Sequence, residues 1–199
     1  MSVTKVKILT FISTSHENTS ALIKALHSLF ASSIKNTGTN PYGIGFPALQ
    51  SDTVGQFITV YCPEDADVIL VHPSILYLLA KKKVSCAGVK SISDITPKYY
   101  RAFIRDRKLE RGAPVQAMKR MVSSNKEEKE QLAKALIGRY FQSPLPQINL
   151  SSQSSQRVFT LNIGVQDSHT SSNQEVLSFN SYGLSSYKNP MYLPVECME

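Results

Sequence analysis

Residues 5–13, KVKILTFIS, run directly into residues 14–34, TSHENTSALIKALHSLFASSI, and the change of period between them decides the fold class. The first stretch has the apolar, β-branched character of a strand. In the second, Leu22, Leu26, Leu29 or Phe30, and Ser33 or Ile34 recur at helical spacing, with Asn18 or Thr19 as the N-cap. A strand leading into an amphipathic helix, with more strand-like runs to follow, predicts an α+β protein. Its expected parts are a small mixed β-sheet, a basic helical middle region and a C-terminal β-hairpin plus flexible tail.

Working outward, residues 36–53 form a long Gly- and Pro-containing connection, and Val54 to Cys62 reads as a strand. Val68 to Val71 reads as a second apolar run, Pro73 opens a helix to about Lys82, and Val84 to Val89 suits a short buried strand. Thr96 and Pro97 resemble a helix start, from which Tyr99, Tyr100, Phe103 and Ile104 would face inward and Lys98, Arg101, Arg105 and Lys108 outward. Two more helices are expected, from Ala113 to about Val122 and from Asn125 through Tyr140, the latter with Glu128 completing a capping box. Arg157 to Val165 and Glu175 to Tyr182 alternate as the two arms of the hairpin. Residues 1–146 then constitute a mixed α/β domain, with residues 147–199 a Ser-rich linker, hairpin and tail packed on it.

Charge is unevenly distributed. Residues 81–139 hold 16 of the 22 Lys and Arg but only 6 of the 15 Asp and Glu, a local charge of +10. A solvated surface needs no excess of one sign, so this segment is expected to meet a polyanion, RNA first and an acidic membrane surface second. The candidate contacts are Lys81, Lys82, Lys83, Lys98, Arg101 and Arg105, followed by Arg107, Lys108, Arg111, Lys119 and Arg120. A basic intracellular protein of this kind, rich in Ser and without a catalytic signature, suits a non-enzymatic role such as a viral structural protein of matrix or nucleoprotein-associated type.

A different class is suggested by Ser13, Thr14, Ser15, Asn18 and Thr19, which fall between the first strand and the first helix. Amides and hydroxyls at such a junction can hold a phosphate. The segment resembles the phosphate loop of flavodoxin-like proteins, and Asp67 to Pro73 (DVILVHP) resembles that family's later strand and Pro-containing loop. The resemblance implies FMN as a cofactor. The same residues also suffice as a Ser/Thr cluster that starts a helix.

Remaining side chains carry weaker signals. His16, His27, His72 and His169 show no metal-ligand spacing, and Cys62, Cys86 and Cys197 form no paired pattern, so neither zinc nor a disulfide framework is expected. Cys62 and His72 could act together only if the fold brings them close. Pro144-Leu145-Pro146, Tyr187 and residues 190–194 (PMYLP) could dock on a partner as extended peptide, which would make the tail an assembly or adaptor element.

Overall fold

The computed structural model describes residues 6–63, 66–107, 131, 145–151, 158–170 and 177–196. Lys108, Arg111, Lys119, Arg120 and the helices expected over 113–122 and 125–140 lie outside the described residues. The protein is α+β, and its described residues form two four-stranded antiparallel sheets.

The first sheet is built from β1 (Lys7–Ser13), β2 (Gly43–Gly45), β3 (Phe57–Cys62) and β4 (Val84–Ser91) in the order β2-β3-β1-β4. Helix α1 (His16–Thr37) crosses from β1 toward β2, and α2 (Asp67–Leu70) and α3 (Pro73–Ala80) connect β3 to β4. That succession in an antiparallel sheet is the ferredoxin-like split arrangement. It differs from a flavodoxin-like sheet, which is parallel and doubly wound.

Local chemistry sets the boundaries of α1. Ser15 is its N-cap, in extended conformation at φ −160°, and its hydroxyl accepts from the Asn18 amide at 3.2 Å. The helix therefore starts ahead of the expected Asn18 or Thr19, because Ser15 already satisfies an amide of the first turn. Gly38 ends it at φ 80°, donating its N–H to the Ile34 carbonyl at 2.8 Å. The inward residues Leu22, Ile23, Leu26 and Phe30 are all fully buried.

The second sheet comprises β5 (Tyr99–Arg105), β6 (Gln147–Ser151), β7 (Val158–Ser168) and β8 (Leu193–Val195) in the order β6-β7-β5-β8. One core joins the two sheets, since Phe103, Ile148, Leu161, Ile163, Leu184 and Val195 cluster with Leu9, Phe11, Leu22, Leu26 and Ile58. Helix α1 bridges them, packing on α3 and on β6.

Several expected elements are corrected. The Val68 to Val71 run is helical, with Ile69 buried and Val68 and Val71 exposed; four apolar residues carry no period to separate helix from strand. The strand at Val84 is an edge strand, paired only to β1 and mostly exposed. The helix expected after Thr96-Pro97 is the strand β5. Ala102, Phe103 and Ile104 are consecutive and all buried, as suits a strand covered on both faces, and aromatic residues favour that state.

The C-terminal region also differs. β7 pairs with β6 and β5, and Leu177 to Tyr182 form a loop and turn in place of the second hairpin arm. The tail is not free. β8 pairs with β5 in the register Tyr99↔Val195 and Arg101↔Leu193, and Met191, Leu193 and Val195 are buried. Pro194 is tolerated because β8 is an edge strand, and its carbonyl accepts from the Tyr61 hydroxyl at 2.5 Å. Burial of that phenol raises its pKa above the usual tyrosine range.

Candidate active site

Where α1 passes the second sheet, Lys24 and His27 stand three residues apart and so share a helix face. The Lys24 Nζ donates to the Ser151 hydroxyl at the end of β6, at 3.0 Å. The His27 Nδ1 lies 2.6 Å from the Ser181 carbonyl oxygen. A carbonyl can only accept, so Nδ1 carries a proton, and it is Nε2 that holds the lone pair whenever the ring is neutral. No described group hydrogen-bonds to Nε2.

The imidazole is fixed by stacking as well. Its ring lies on that of Tyr182, with centroids 4.1 Å apart and planes within 5°. Phe159 of β7 meets the Tyr182 ring edge-on at 6.2 Å, and the Arg105 guanidinium carbon at the end of β5 lies 4.8 Å from the Tyr182 centroid. Tyr182 thus connects the partly exposed His27 on α1 to Phe159 of β7 and to Arg105 of β5.

The turn that supplies Ser181 and Tyr182 is pinned at both ends. Asn180 accepts through Oδ1 from the Tyr182 amide at 2.8 Å and from the Leu184 amide at 3.3 Å. Gly183 closes the turn at φ 71° and sits against the buried Phe30 and Ile44. Asn40, fully buried between α1 and β2, donates from Nδ2 to the Asn180 carbonyl at 2.8 Å and to the Tyr42 carbonyl at 3.0 Å, and accepts from the Tyr42 amide at 3.1 Å.

The sequence-predicted cations divide. Lys81, Lys82 and Lys83 lie together, exposed, where α3 ends. Lys98 and Arg107 are exposed at the two ends of β5, and Arg105 joins the histidine site. Arg101 does not project freely from a helix face. It forms a two-pronged ion pair with Asp167 of β7, its Nη2 donating to Oδ2 at 2.8 Å. Hydrogen bonding within the pair raises the arginine pKa and lowers the carboxyl pKa. Nearby, the Tyr187 hydroxyl donates to Asp106 at 2.9 Å, and burial followed by this bond pushes its pKa up to about 12.

The hydroxyls of the strand-to-helix turn face one another. Ser13 and Thr19 share a buried hydrogen bond of 2.6 Å, Thr14 donates to the Lys83 carbonyl at 3.1 Å, and Asn18 donates to Thr14 at 2.8 Å. Those bonds tie β1 to α1 and to the start of β4. Cys62 is buried, its thiol directed at the Lys7 carbonyl at 3.5 Å, while His72 precedes Pro73 as the N-cap of α3 with its Nδ1 buried.

His27 was not distinguishable from the other three histidines in sequence. Its one local signal is Lys24 a turn earlier on the same helix; its main partner, Ser181, is 154 residues away.

A helix-borne histidine with one ring nitrogen held by a carbonyl, one turn from a lysine, thus sits in an α+β protein with a strong excess of positive charge. The CRISPR-associated protein family Cas_Csy4 matches residues 11–191, and the chain belongs to that family. It is a family of RNA-processing endoribonucleases that bind CRISPR RNA, so the expected RNA partner stands, while the non-enzymatic and viral structural readings are overturned. No curated protein matches the chain. None of the described helices is long and apolar enough to cross a membrane.

Proposed function

We propose that the protein cleaves CRISPR RNA at a phosphodiester bond, using the 2′-hydroxyl of the RNA as nucleophile and His27 as general base. The observation that carries this reading is the 2.6 Å contact from His27 Nδ1 to the Ser181 carbonyl, which leaves Nε2 as a proton acceptor in a ring held still by Tyr182. RNA supplies its own nucleophile one bond from the phosphate, so the protein needs only a base and positive charge.

In the reaction, Nε2 takes the 2′-hydroxyl proton and the 2′-oxygen bonds to phosphorus. The bond to the 5′-oxygen breaks, and that oxygen takes a proton from water. Products are a 2′,3′-cyclic phosphate and a 5′-hydroxyl. Lys24 and Arg105 offset the charge that accumulates on the phosphoryl oxygens, and the Ser151 hydroxyl orients the Lys24 ammonium. Lys81, Lys82, Lys83, Lys98 and Arg107, with Lys108, Arg111, Lys119 and Arg120 from outside the described residues, bind phosphates away from the cut.

The test is His27→Ala on a transcript of the host's CRISPR repeat. Cleavage should fall by about 100-fold or more, the usual contribution of a general base, with RNA binding unchanged. A variant that cleaves like its parent rules out His27 as the base.

A further inference from the structure

Beside the histidine site, α1 and α3 leave an open groove of about 490 Å³ between them. Ala21, Ala25 and Leu78 contribute an apolar floor, while Lys24 and Lys83 provide the charged side chains among the described residues of the lining. Tyr77 is 55% exposed, and the Lys83 ammonium lies 6.0 Å from its centroid. Lys81 and Lys82 continue the positive edge beyond Lys83. Lysines at the end of a helix complement its dipole, but that does not account for an exposed aromatic ring beside them.

Lys24 links the groove to the histidine site: it lines the groove, its ammonium is bonded to Ser151, and it stands one turn before His27 on α1. An aromatic ring with flanking cations along a positive groove is the arrangement that holds single-stranded nucleic acid, in which bases stack and phosphates are neutralised.

We infer that the α1–α3 groove holds the single-stranded RNA that flanks the scissile phosphate, with one base stacked on Tyr77 and the backbone passing between Lys24 and Lys83. The inference rests on the cleavage reading for its place in the reaction. It adds a subsite that sets the direction in which the RNA strand enters the histidine site.

The test uses the full chain and a fluorescein-labelled oligouridylate of about eight nucleotides, followed by anisotropy at two salt concentrations. Tyr77→Ala should weaken binding at least about fivefold, as loss of one stacked base does, while Tyr77→Phe binds like the parent. Lys83→Glu should also weaken binding, and make the slope of log K against log salt shallower by roughly 0.7. Melting temperatures should be unchanged for all three, because both side chains are exposed. If Tyr77→Ala and Lys83→Glu bind as the parent does, the groove is not an RNA subsite and a protein partner is left to occupy it. If Tyr77→Phe is as damaging as Tyr77→Ala, stacking is refuted. His27→Ala separates the two readings, since a His27→Ala chain that still cleaves defeats the proposed chemistry without restoring oligouridylate binding to the groove variants.

Discussion

Asn40→Ala is expected to loosen the site without touching it. Asn40 is fully buried and makes three side-chain hydrogen bonds, two to Tyr42 and one to the Asn180 carbonyl that starts the Ser181–Tyr182 turn. Alanine removes all three and returns none of their partners fully to water. At a net value of about 1 kcal/mol per bond the loss is about 3 kcal/mol. For a chain of 199 residues, each kcal/mol displaces the melting temperature by about 2 to 4 °C, so a drop of about 6 to 12 °C is expected. Asn40→Asp should not recover it, because aspartate retains the acceptor toward the Tyr42 amide but loses both donors and introduces a buried charge. Melts followed by circular dichroism give the stability; cleavage of the repeat transcript below the melting range gives the effect on the turn. The cleavage rate should fall, since Ser181 and Tyr182 orient His27. A melting temperature within about 1 °C of the parent would refute the reasoning, as it would mean that water replaces the asparagine at no cost.

Gly183→Ala should cost about 2 kcal/mol or more, because φ is 71° and the added carbon would stand 2.8 Å from Ile44 Cγ1 and 2.9 Å from Phe30 Cε2, both in the core; a thermal melt reads this, and cleavage should fall with it. The Arg101–Asp167 pair holds the Asp167 carboxyl below the usual carboxylate range, so its contribution is present above the unfolded value of about 3.9 and is lost as pH falls through the folded value. Asp167 is largely exposed, which limits that contribution to at most about 1 kcal/mol. Melts of the parent and Asp167→Asn should therefore differ slightly at neutral pH, approach one another as pH falls below about 4, and converge only below the folded value.

The first helix was readable because its apolar spacing is long and regular, but its start was not, since Ser15 caps it ahead of the expected Asn18 or Thr19. Strand β5 was not, since Tyr99, Tyr100, Phe103 and Ile104 fit a helical period and a doubly covered strand equally well, and only the partners β7 and β8 decide between them. The tail read as flexible because its prolines argue against an interior strand, yet an edge strand tolerates Pro194. Excess positive charge pointed correctly to RNA, because net charge needs no fold to be counted. It could not reveal that Arg101 is committed to Asp167. The proposed base, His27, is held by Ser181 and Tyr182, which only the tertiary fold brings to α1, so no local pattern could single it out.

The central claim is that His27 activates the 2′-hydroxyl of RNA, and the chemical ends of the products test it most directly. Mass spectrometry of the fragments from a CRISPR-repeat transcript should find a 2′,3′-cyclic phosphate on the upstream product and a 5′-hydroxyl on the downstream one. A single 2′-deoxy substitution at the cut site should abolish cleavage by the parent chain. An upstream 3′-hydroxyl with a downstream 5′-phosphate, or normal cutting of the 2′-deoxy substrate, would contradict the account, because the nucleophile would then be water.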